Sequence, residues 1–222
     1  NNRLWGFGNS NQPNIAYYSI VENGKNFTGT GSGTLAIGNK SKIVGGKIIQ
    51  GWLYLFKNDG SIFRINNDSP TPSQWYIEQI LDASSEGLIG LANQRLIVEA
   101  GGNAFFMSKT GRIYNFVQAL QTGDLKATDI TENLTEKIYF YNWIKDNIDL
   151  TKLESDAHCV ADAQRGMILW FCTKLGSASP NVALVYFYNK KQWFIWENAN
   201  FASGVKAYSS CVRRLSNVDY IY

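Results

Sequence analysis

The sequence has few of the residues on which most active sites and metal sites depend. Its 222 residues include one histidine, His158, three cysteines and four prolines. The cysteines, Cys159, Cys172 and Cys211, are odd in number and lack CxxC spacing, so neither a zinc site nor a disulfide framework is predicted. His158 and Cys159 are adjacent in a predicted strand and point to opposite faces, so they do not form a thiolate and base pair. We therefore expect no catalytic residue, no metal and no cofactor.

The cysteines have one alternative arrangement. If the segment from Cys159 to Cys172 forms a hairpin that turns near residues 164–166, the two thiols would lie nearly opposite each other. Reduced, buried thiols remain the expected state, because free cysteine packs as a small apolar side chain.

Low charge and short apolar runs argue against two further classes of function. The formal net charge of +3 is too small to indicate duplex DNA binding, and the visible basic clusters are only Lys190-Lys191 and Arg213-Arg214. The longest apolar run, Val182 to Tyr188, is far shorter than the ~20 residues that a membrane helix needs. We therefore expect no membrane span.

Aromatic residues and glycines, by contrast, are plentiful. Aromatics make up 14% of the chain, with seven Trp and twelve Tyr, and there are 20 glycines. Aromatic side chains favour strands, whereas Gly and Asn favour turns, so this composition is typical of many short strands. A polar turn between two apolar runs predicts a β-hairpin. Three segments have this pattern, namely Trp52 to Ile65, Ala104 to Phe116 and Leu184 to Trp196.

The first two hairpins recur at the spacing of a structural repeat. Their turns end in Gly60 and Gly111, which are about 50 residues apart, as expected for one four-stranded propeller blade. We interpret the third hairpin, which turns at residues 189–191, as another copy of the same element. The sequence thus predicts an all-β fold, a β-propeller-like repeat of four-stranded antiparallel blades. It would form a single domain over residues 1–222, or a truncated part of one.

One helical insertion is predicted to interrupt the repeat, over residues 129–153. Its apolar residues follow helical steps of three and four. They are Leu134, Ile138, Tyr141, Ile144 and Ile148. Asp129 and Glu132 are placed like an N-terminal capping pair. The insertion would explain the longer interval before the third hairpin.

Partner contacts are expected where the chain departs from the repeat, since blade strands are committed to their own sheets. One such region is the Gly-rich segment 22–42. Its Gly29 to Gly33 stretch lacks the Lys-Ser/Thr ending of a P-loop and does not match GxGxxG, so no nucleotide site is predicted. The other is the helix, on which Trp143 is expected to face outward as an interface anchor. Phe27, in the Gly-rich segment, is a second candidate contact.

Seven segments carry a family resemblance that spans nearly the whole chain. They are residues 3–8, 15–20, 53–57, 60–65, 106–114, 129–131 and 185–193. In these segments the chain resembles the β-propeller virion proteins of tailed bacteriophages. The nearest kin are the tail nozzle and packaged-DNA-stabilisation proteins of short-tailed phages.

The resemblance implies a non-enzymatic structural part of the phage tail. In that family the propeller is repeated around the axis through which DNA leaves, so the implied partners are other tail proteins, further copies in a homo-oligomeric ring, and transiently the exiting DNA. The implied location is the virion, after assembly in the host cytoplasm. Because the sequence begins with Asn1 rather than Met and ends in a predicted strand, we expect a fragment of a longer protein.

Two alternatives remain open from the sequence. A carbohydrate-binding or glycoside-cleaving propeller is one, because exposed Trp75 or Trp143 would suit stacking on sugars. Its carboxylates would have to come from separate blades, and the candidates are Glu99, Asp162 and Glu197. The other is direct contact with DNA through Lys and Arg side chains that line an axial channel.

Overall fold

In the part of the chain that the structure describes, antiparallel β-sheet is the main secondary structure, as predicted. The computed structural model describes residues 2–67, 69, 71–82, 90–118, 125–131, 140–197, 210–215 and 218–221. Within these residues there are seventeen strands and one α-helix. The chain divides into two units, Asn1–Leu91 and Ala92–Tyr222, and each is described by itself. The prediction of a single domain stays a prediction.

The first unit contains two antiparallel sheets. Its strands are β1 (Trp5–Gly6), β2 (Ile15–Tyr18), β3 (Gly33–Ala36), β4 (Ile43–Ile49), β5 (Trp52–Lys57), β6 (Ile62–Asn66) and β7 (Tyr76–Leu81), with a 3-10 helix at Pro72–Gln74. Strands β1-β2-β3 form one sheet, and β4-β5-β6-β7 form the four-stranded sheet I. An apolar core contains residues of both sheets, namely Ala16, Ile37, Ile43, Leu53, Leu55, Phe63 and Ile65.

The second unit continues the pattern with two further four-stranded sheets. Sheet II consists of β8 (Ile97–Ala100), β9 (Asn103–Met107), β10 (Ile113–Gln118) and β11 (Leu125–Asp129). Sheet III consists of β12 (His158–Asp162), β13 (Met167–Cys172), β14 (Val182–Phe187) and β15 (Gln192–Trp196). The remaining elements are helix α1 (Phe140–Asn147), 3-10 helices at Gln94–Leu96 and Leu150–Lys152, and the pair β16 (Val212–Leu215) and β17 (Val218–Ile221).

The middle strands of these sheets are buried on both faces. All six residues of β13 and five of the six in β14 are buried. Successive strand residues point to opposite faces, so a fully buried strand has packing on both sides. The fourth strands differ, because neither β7 nor β15 contains a buried residue. Each of these two sheets is thus apolar through its centre and open along its last strand.

The first two predicted hairpins are confirmed and occupy the same place in their sheets, between the second and third strands. The Gly60 N–H donates to the Lys57 carbonyl at 3.3 Å, and the Gly111 N–H donates to the Ser108 carbonyl at 3.0 Å. Both glycines have a positive φ, +94° and +81°, which L side chains rarely adopt. The turn residues therefore dictate the same hairpin twice.

The third predicted hairpin also forms, but it is not another copy of the same element. It joins β14 to β15, the third and fourth strands of sheet III. In an antiparallel meander, successive turns lie at opposite ends of the strands. In sheet III the second and third strands are joined by residues 173–181. The turn of the predicted hairpin, residues 188–191, therefore lies at the other end of the sheet. A hairpin pattern identifies neighbouring strands but not their position in the sheet.

The predicted helical insertion is shorter than residues 129–153. Asp129 is the last residue of β11, and its carboxylate accepts hydrogen bonds from the N–H and the hydroxyl of Thr131 at 2.8 and 2.6 Å. This local turn replaces the capping role predicted for Asp129. Helix α1 ends at Asn147, and Ile148 instead pairs with Lys174 in an isolated β-bridge. Glu132, Leu134 and Ile138 lie outside the described residues.

Candidate partner-binding surface

The segment that carries α1 packs over the hairpin turn of sheet II. In each four-stranded sheet, the connection between the second and third strands lies at the same end as the points where the chain enters and leaves the sheet. We call this end of the sheet the link end. A Cβ added to Gly111 at the link end would lie 2.8 Å from Leu150 Cδ2 and 2.9 Å from Ile144 Cγ2. Ile144 and Ile148 are both buried, as predicted for the inner face of the helix. The helix is therefore fixed on the turn by close packing.

Trp143 lies at the margin of this packing rather than fully outside it. Its side chain is half-buried, and its ring is nearly parallel to that of Phe140, with centroids 6.3 Å apart. Lys145 and Asp146, which follow it on the helix, are exposed. Trp143 is thus partly exposed, on a helix that also carries exposed charged residues. Its predicted role as a partner contact stays a prediction.

Trp193 connects the helix to sheet III. Its ring lies 4.3 Å from Phe140 and 5.6 Å from the buried Trp170, centroid to centroid. The Trp193 indole N–H donates to the Ile130 carbonyl at 3.0 Å. Trp193 and Trp196, three residues apart on β15, are both half-buried. An aromatic series therefore runs from the centre of sheet III to the surface at Trp143.

A cation–π contact ties α1 to sheet II as well. The Arg112 guanidinium lies 4.1 Å from the centroid of the Tyr141 ring, within the range of a cation–π interaction. Arg112 also pairs with Asp129, at 2.5 Å. Tyr141, predicted on the buried face, is half-buried. The start of the helix is thus held by the residue that follows Gly111 in the hairpin turn.

The Gly-rich segment 22–42 is more ordered than the predicted loop, because it contains strand β3. Asn26 Oδ1 accepts hydrogen bonds from the Gly29 and Thr28 N–H groups at 2.8 and 3.0 Å. Arg3 donates to the Gly31 carbonyl at 2.5 Å. Phe27 is half-buried, so it is a weaker contact candidate than an open side chain would be. A four-residue strand of sequence GTLA carries too little pattern to be predicted.

A buried lysine, which no pattern in the sequence indicates, fixes the end of that segment. Lys57 is fully buried, and its Nζ donates to the Ile37 carbonyl at 2.8 Å and to the carbonyl and Oδ1 of Asn39 at 2.6 and 2.7 Å. Burial lowers the pKa of Lys57, and the nearby Asp59 carboxylate opposes the shift. The ammonium therefore joins the hairpin turn of sheet I to the chain that enters the sheet.

Asp59 beside it is held ionised. Burial would raise its pKa, but hydrogen bonds from Ser61, Asn39 and Ser41 outweigh burial and lower the pKa to about 2. The Asn39 Nδ2 donates to Asp59 Oδ2 at 2.8 Å, so Asn39 bridges the ammonium and the carboxylate. The arrangement is a structural clamp at the link end of sheet I.

The residues proposed for sugar binding are engaged in the fold. Trp75 lies 4.9 Å from Tyr18 and 5.7 Å from Trp5, centroid to centroid, and its indole N–H donates to the Ser69 carbonyl at 2.6 Å. Arg3 lies 5.2 Å from the same ring. Trp75 is therefore part of an aromatic cluster in the first unit and does not offer a free stacking face of the predicted kind.

The three candidate carboxylates have separate surroundings. Asp162 is fully buried and pairs with Arg165 at 2.5 Å, and Glu197 pairs with Lys174 at 3.1 Å. Glu99 is exposed on β8. Two of the three are thus committed to structural ion pairs in the described part of the chain.

The two thiols in sheet III do not lie opposite each other, so the alternative arrangement of the cysteines does not form. Cys159 faces Trp170 across the β12–β13 pair, whereas Cys172 faces Val182 across the β13–β14 pair. Burial raises the pKa of Cys172 to about 12, so this thiol is unreactive at neutral pH. Cys211 is exposed.

The chain was compared with known protein families and with curated proteins. No family model matches the chain, and no curated protein matches it. Among the residues that the structure describes, no helix is long and apolar enough to cross a membrane, and no group of three or more His, Cys, Asp or Glu side chains is placed to hold a metal ion. Function is therefore inferred from the site and from the family resemblance of the sequence.

Proposed function

We propose that this chain is a structural component of a bacteriophage tail, of the nozzle or tail-hub type, and that it acts by assembly rather than by catalysis. The observation that carries the proposal is the succession of three four-stranded antiparallel meanders, sheets I, II and III. A meander of this kind is the unit of a β-propeller blade. Four of the seven segments that resemble phage propeller proteins lie on the strands and turns of these sheets, namely residues 53–57, 60–65, 106–114 and 185–193.

The contacts of the first strands support a propeller-like arrangement within the second unit. Strands β8 and β12 lie against each other, and β12 in turn lies near β16. In a propeller the innermost strands of successive blades are neighbours around the central axis, whereas the last strands point outward. The absence of buried residues from β15 agrees with an outer position.

The exposed face of α1 (Phe140–Asn147), which we call the α1 surface, is the part of the second unit best suited to bind another protein. It departs from the repeated sheets, it is fixed by Ile144 and Leu150 on the turn below it, and it offers Trp143 beside charged side chains. Rigid, partly exposed tryptophans are typical anchors of protein interfaces. The partners we propose are other tail proteins and further copies of the chain in a ring, within a virion assembled in the host cytoplasm.

Electron microscopy and mass spectrometry of purified source particles test the proposal directly. The chain is expected in stoichiometric amounts in the tail. Trp143→Ala is expected to leave the chain folded and to reduce its incorporation about tenfold or more, whereas Phe194→Ala, at an exposed position on β15, should affect incorporation much less. A chain that is absent from virions, or monomeric in host extract, would refute the proposal.

The same preparation separates the two alternatives. A glycan array and hydrolysis assays on the folded chain should be negative, and sugar binding that is lost in Trp143→Ala would favour the carbohydrate alternative. Contact with exiting DNA should be weak and steeply salt-dependent. Nanomolar, sequence-specific DNA binding at physiological salt would contradict the inference that the nearly balanced charge permits only weak contact with DNA. It would favour a DNA-binding function over tail assembly.

A further inference from the structure

The only histidine of the chain is buried where sheet III begins. His158, the first residue of β12, is 4% exposed. Its ring lies flat on Phe171, with centroids 4.9 Å apart and an angle of 13° between the planes. Neither ring nitrogen has a hydrogen-bond partner of normal geometry. A buried imidazole with this environment is accommodated as the neutral form, because an unpaired charge is strongly disfavoured away from water.

Two polar side chains from the start of the second unit close the site. Asn93 donates to the carbonyls of Leu153 and Ala157, the latter at 3.1 Å. Arg95, in the 3-10 helix at residues 94–96, donates to the Ser155 carbonyl. These bonds hold the turn that precedes β12 against the segment that precedes β8. We call this contact the β12 joint.

The charged groups around the joint do not stabilise an imidazolium. Arg95 adds positive charge, and the backbone of Asp156 is the one group near the ring that favours a proton. Glu154 in the same turn pairs with Lys109 at 2.8 Å. Further along β12, Asp162 pairs with Arg165 at 2.5 Å. The carboxylates of Glu154 and Asp162 are therefore already engaged in ion pairs.

We propose that the β12 joint is an acid-sensitive switch, in which protonation of His158 opens the contact between β12 and the 94–96 segment. The joint stays closed at neutral pH because the ring is neutral, stacked on Phe171 and covered by the turn. On acidification the imidazolium requires water, and the turn held by Asn93 and Arg95 must move to admit it. Opening would loosen the first strand of sheet III from sheet II without unfolding either sheet.

The pH window follows from the direction of the shift. Burial lowers the pKa of His158 below its ordinary value near 6.5, the charge of Arg95 adds to the lowering, and the Asp156 backbone opposes it. The open state therefore binds the proton more tightly than the closed state. Closure is most favourable above pH ~6.5 and weakens as the pH falls from there to the lowered pKa, because the open state gains tenfold for each pH unit in that window.

Hydrogen exchange and NMR on the full chain test the switch. Because the chain has one histidine, its imidazole gives a single Hε1 signal, which should titrate below pH 6.5. Amide exchange along β12 and at residues 94–96, corrected for its intrinsic pH dependence, should rise up to tenfold per pH unit below 6.5. His158→Phe keeps the ring on Phe171 without a titrating group and should abolish that rise.

Arg95 provides a second arm that does not replace the histidine. Arg95→Lys keeps the charge near the ring, whereas Arg95→Gln removes it, so the Gln variant should titrate at a higher pH and show a smaller rise in exchange. The proposal is overturned if the wild-type signal titrates at or above pH 6.5 while exchange in the joint stays constant. It is equally overturned if the rise persists in His158→Phe.

Discussion

Replacing Lys57 with methionine tests whether the buried ammonium holds sheet I together. The substitution keeps an unbranched side chain of similar length and removes the charge and all three hydrogen bonds. The Ile37 carbonyl, in a fully buried residue, then loses its Lys57 donor, whereas Asn39 is exposed and water can replace the lysine there. The dominant loss is thus one buried acceptor left without its charged partner.

The expected cost is about 2 kcal/mol for Lys57→Met, because an unsatisfied buried carbonyl costs about 1–3 kcal/mol and methionine avoids a large cavity. Lys57→Ala also removes three methylene groups of packing, at about 0.8 kcal/mol each, so its cost should approach 4 kcal/mol. The free energy of unfolding should therefore decrease in the order wild type, Lys57→Met, Lys57→Ala. The first step measures the loss of the ammonium and its hydrogen bonds, and the second measures the loss of packing by the methylene groups.

Urea unfolding of the full chain, followed by tryptophan fluorescence, measures both variants. With a slope of about 2 kcal/mol/M, the midpoint should fall by about 1 M for Lys57→Met. Exchange of the Ile37 amide, which donates to the Asn14 carbonyl at 2.9 Å, should accelerate with it. Lys47→Met on β4, half-buried, is the matched control and should stay within about 0.5 kcal/mol.

A Lys57→Met variant as stable as the wild type, or more stable, would refute this reasoning. It would mean that removing the charge from water costs as much as its three bonds return, which is the usual result when buried ion pairs are replaced by apolar residues. The bonds would then specify where the 37–42 segment lies without stabilising it.

Three further outcomes are expected. Gly111→Ala should destabilise the chain by more than Gly102→Ala, because both positions have a positive φ but only Gly111 meets Leu150 and Ile144; equal urea midpoints would mean that α1 does not pack on the turn as described. Stability conferred by ionised Asp59, whose pKa is about 2, is present above pH ~3.8 and lost as the pH falls toward 2, so Asp59→Asn should flatten the urea midpoint over that range. An aromatic disulfide reagent should modify exposed Cys211 rapidly and Cys172 only on unfolding; early loss of the Cys172 thiol would contradict its burial.

The hairpins were predictable because their signal is local. A glycine with a positive φ between two apolar runs specifies a turn whatever surrounds it, and Gly60 and Gly111 both do so. The same signal cannot say whether a hairpin joins the second and third strands or the third and fourth. That is why the third hairpin, at β14 and β15, was assigned to the wrong place in its sheet.

The candidate site depended on contacts between distant segments, which periodicity does not report. Lys57 reads as a surface residue beside a turn, and its burial follows from carbonyls about 20 residues earlier. The helix ends at Asn147 although apolar spacing continues to Ile148, because Ile148 gains a bridge to Lys174. Trp143 was identified from its place in the helix, but its half-buried state follows from the stacking of Phe140.

Because successive turns lie at opposite ends of the strands, sheet III can be labelled separately at each end. A peptide epitope inserted between residues 190 and 191 and one inserted directly after Gly176, whose φ is +78°, would emerge from opposite ends of the same strands. Antibody fragments bound to the two epitopes would therefore mark the two ends of the sheet separately in electron micrographs of an assembly. Such a pair of markers would orient this chain along a particle axis without an atomic map.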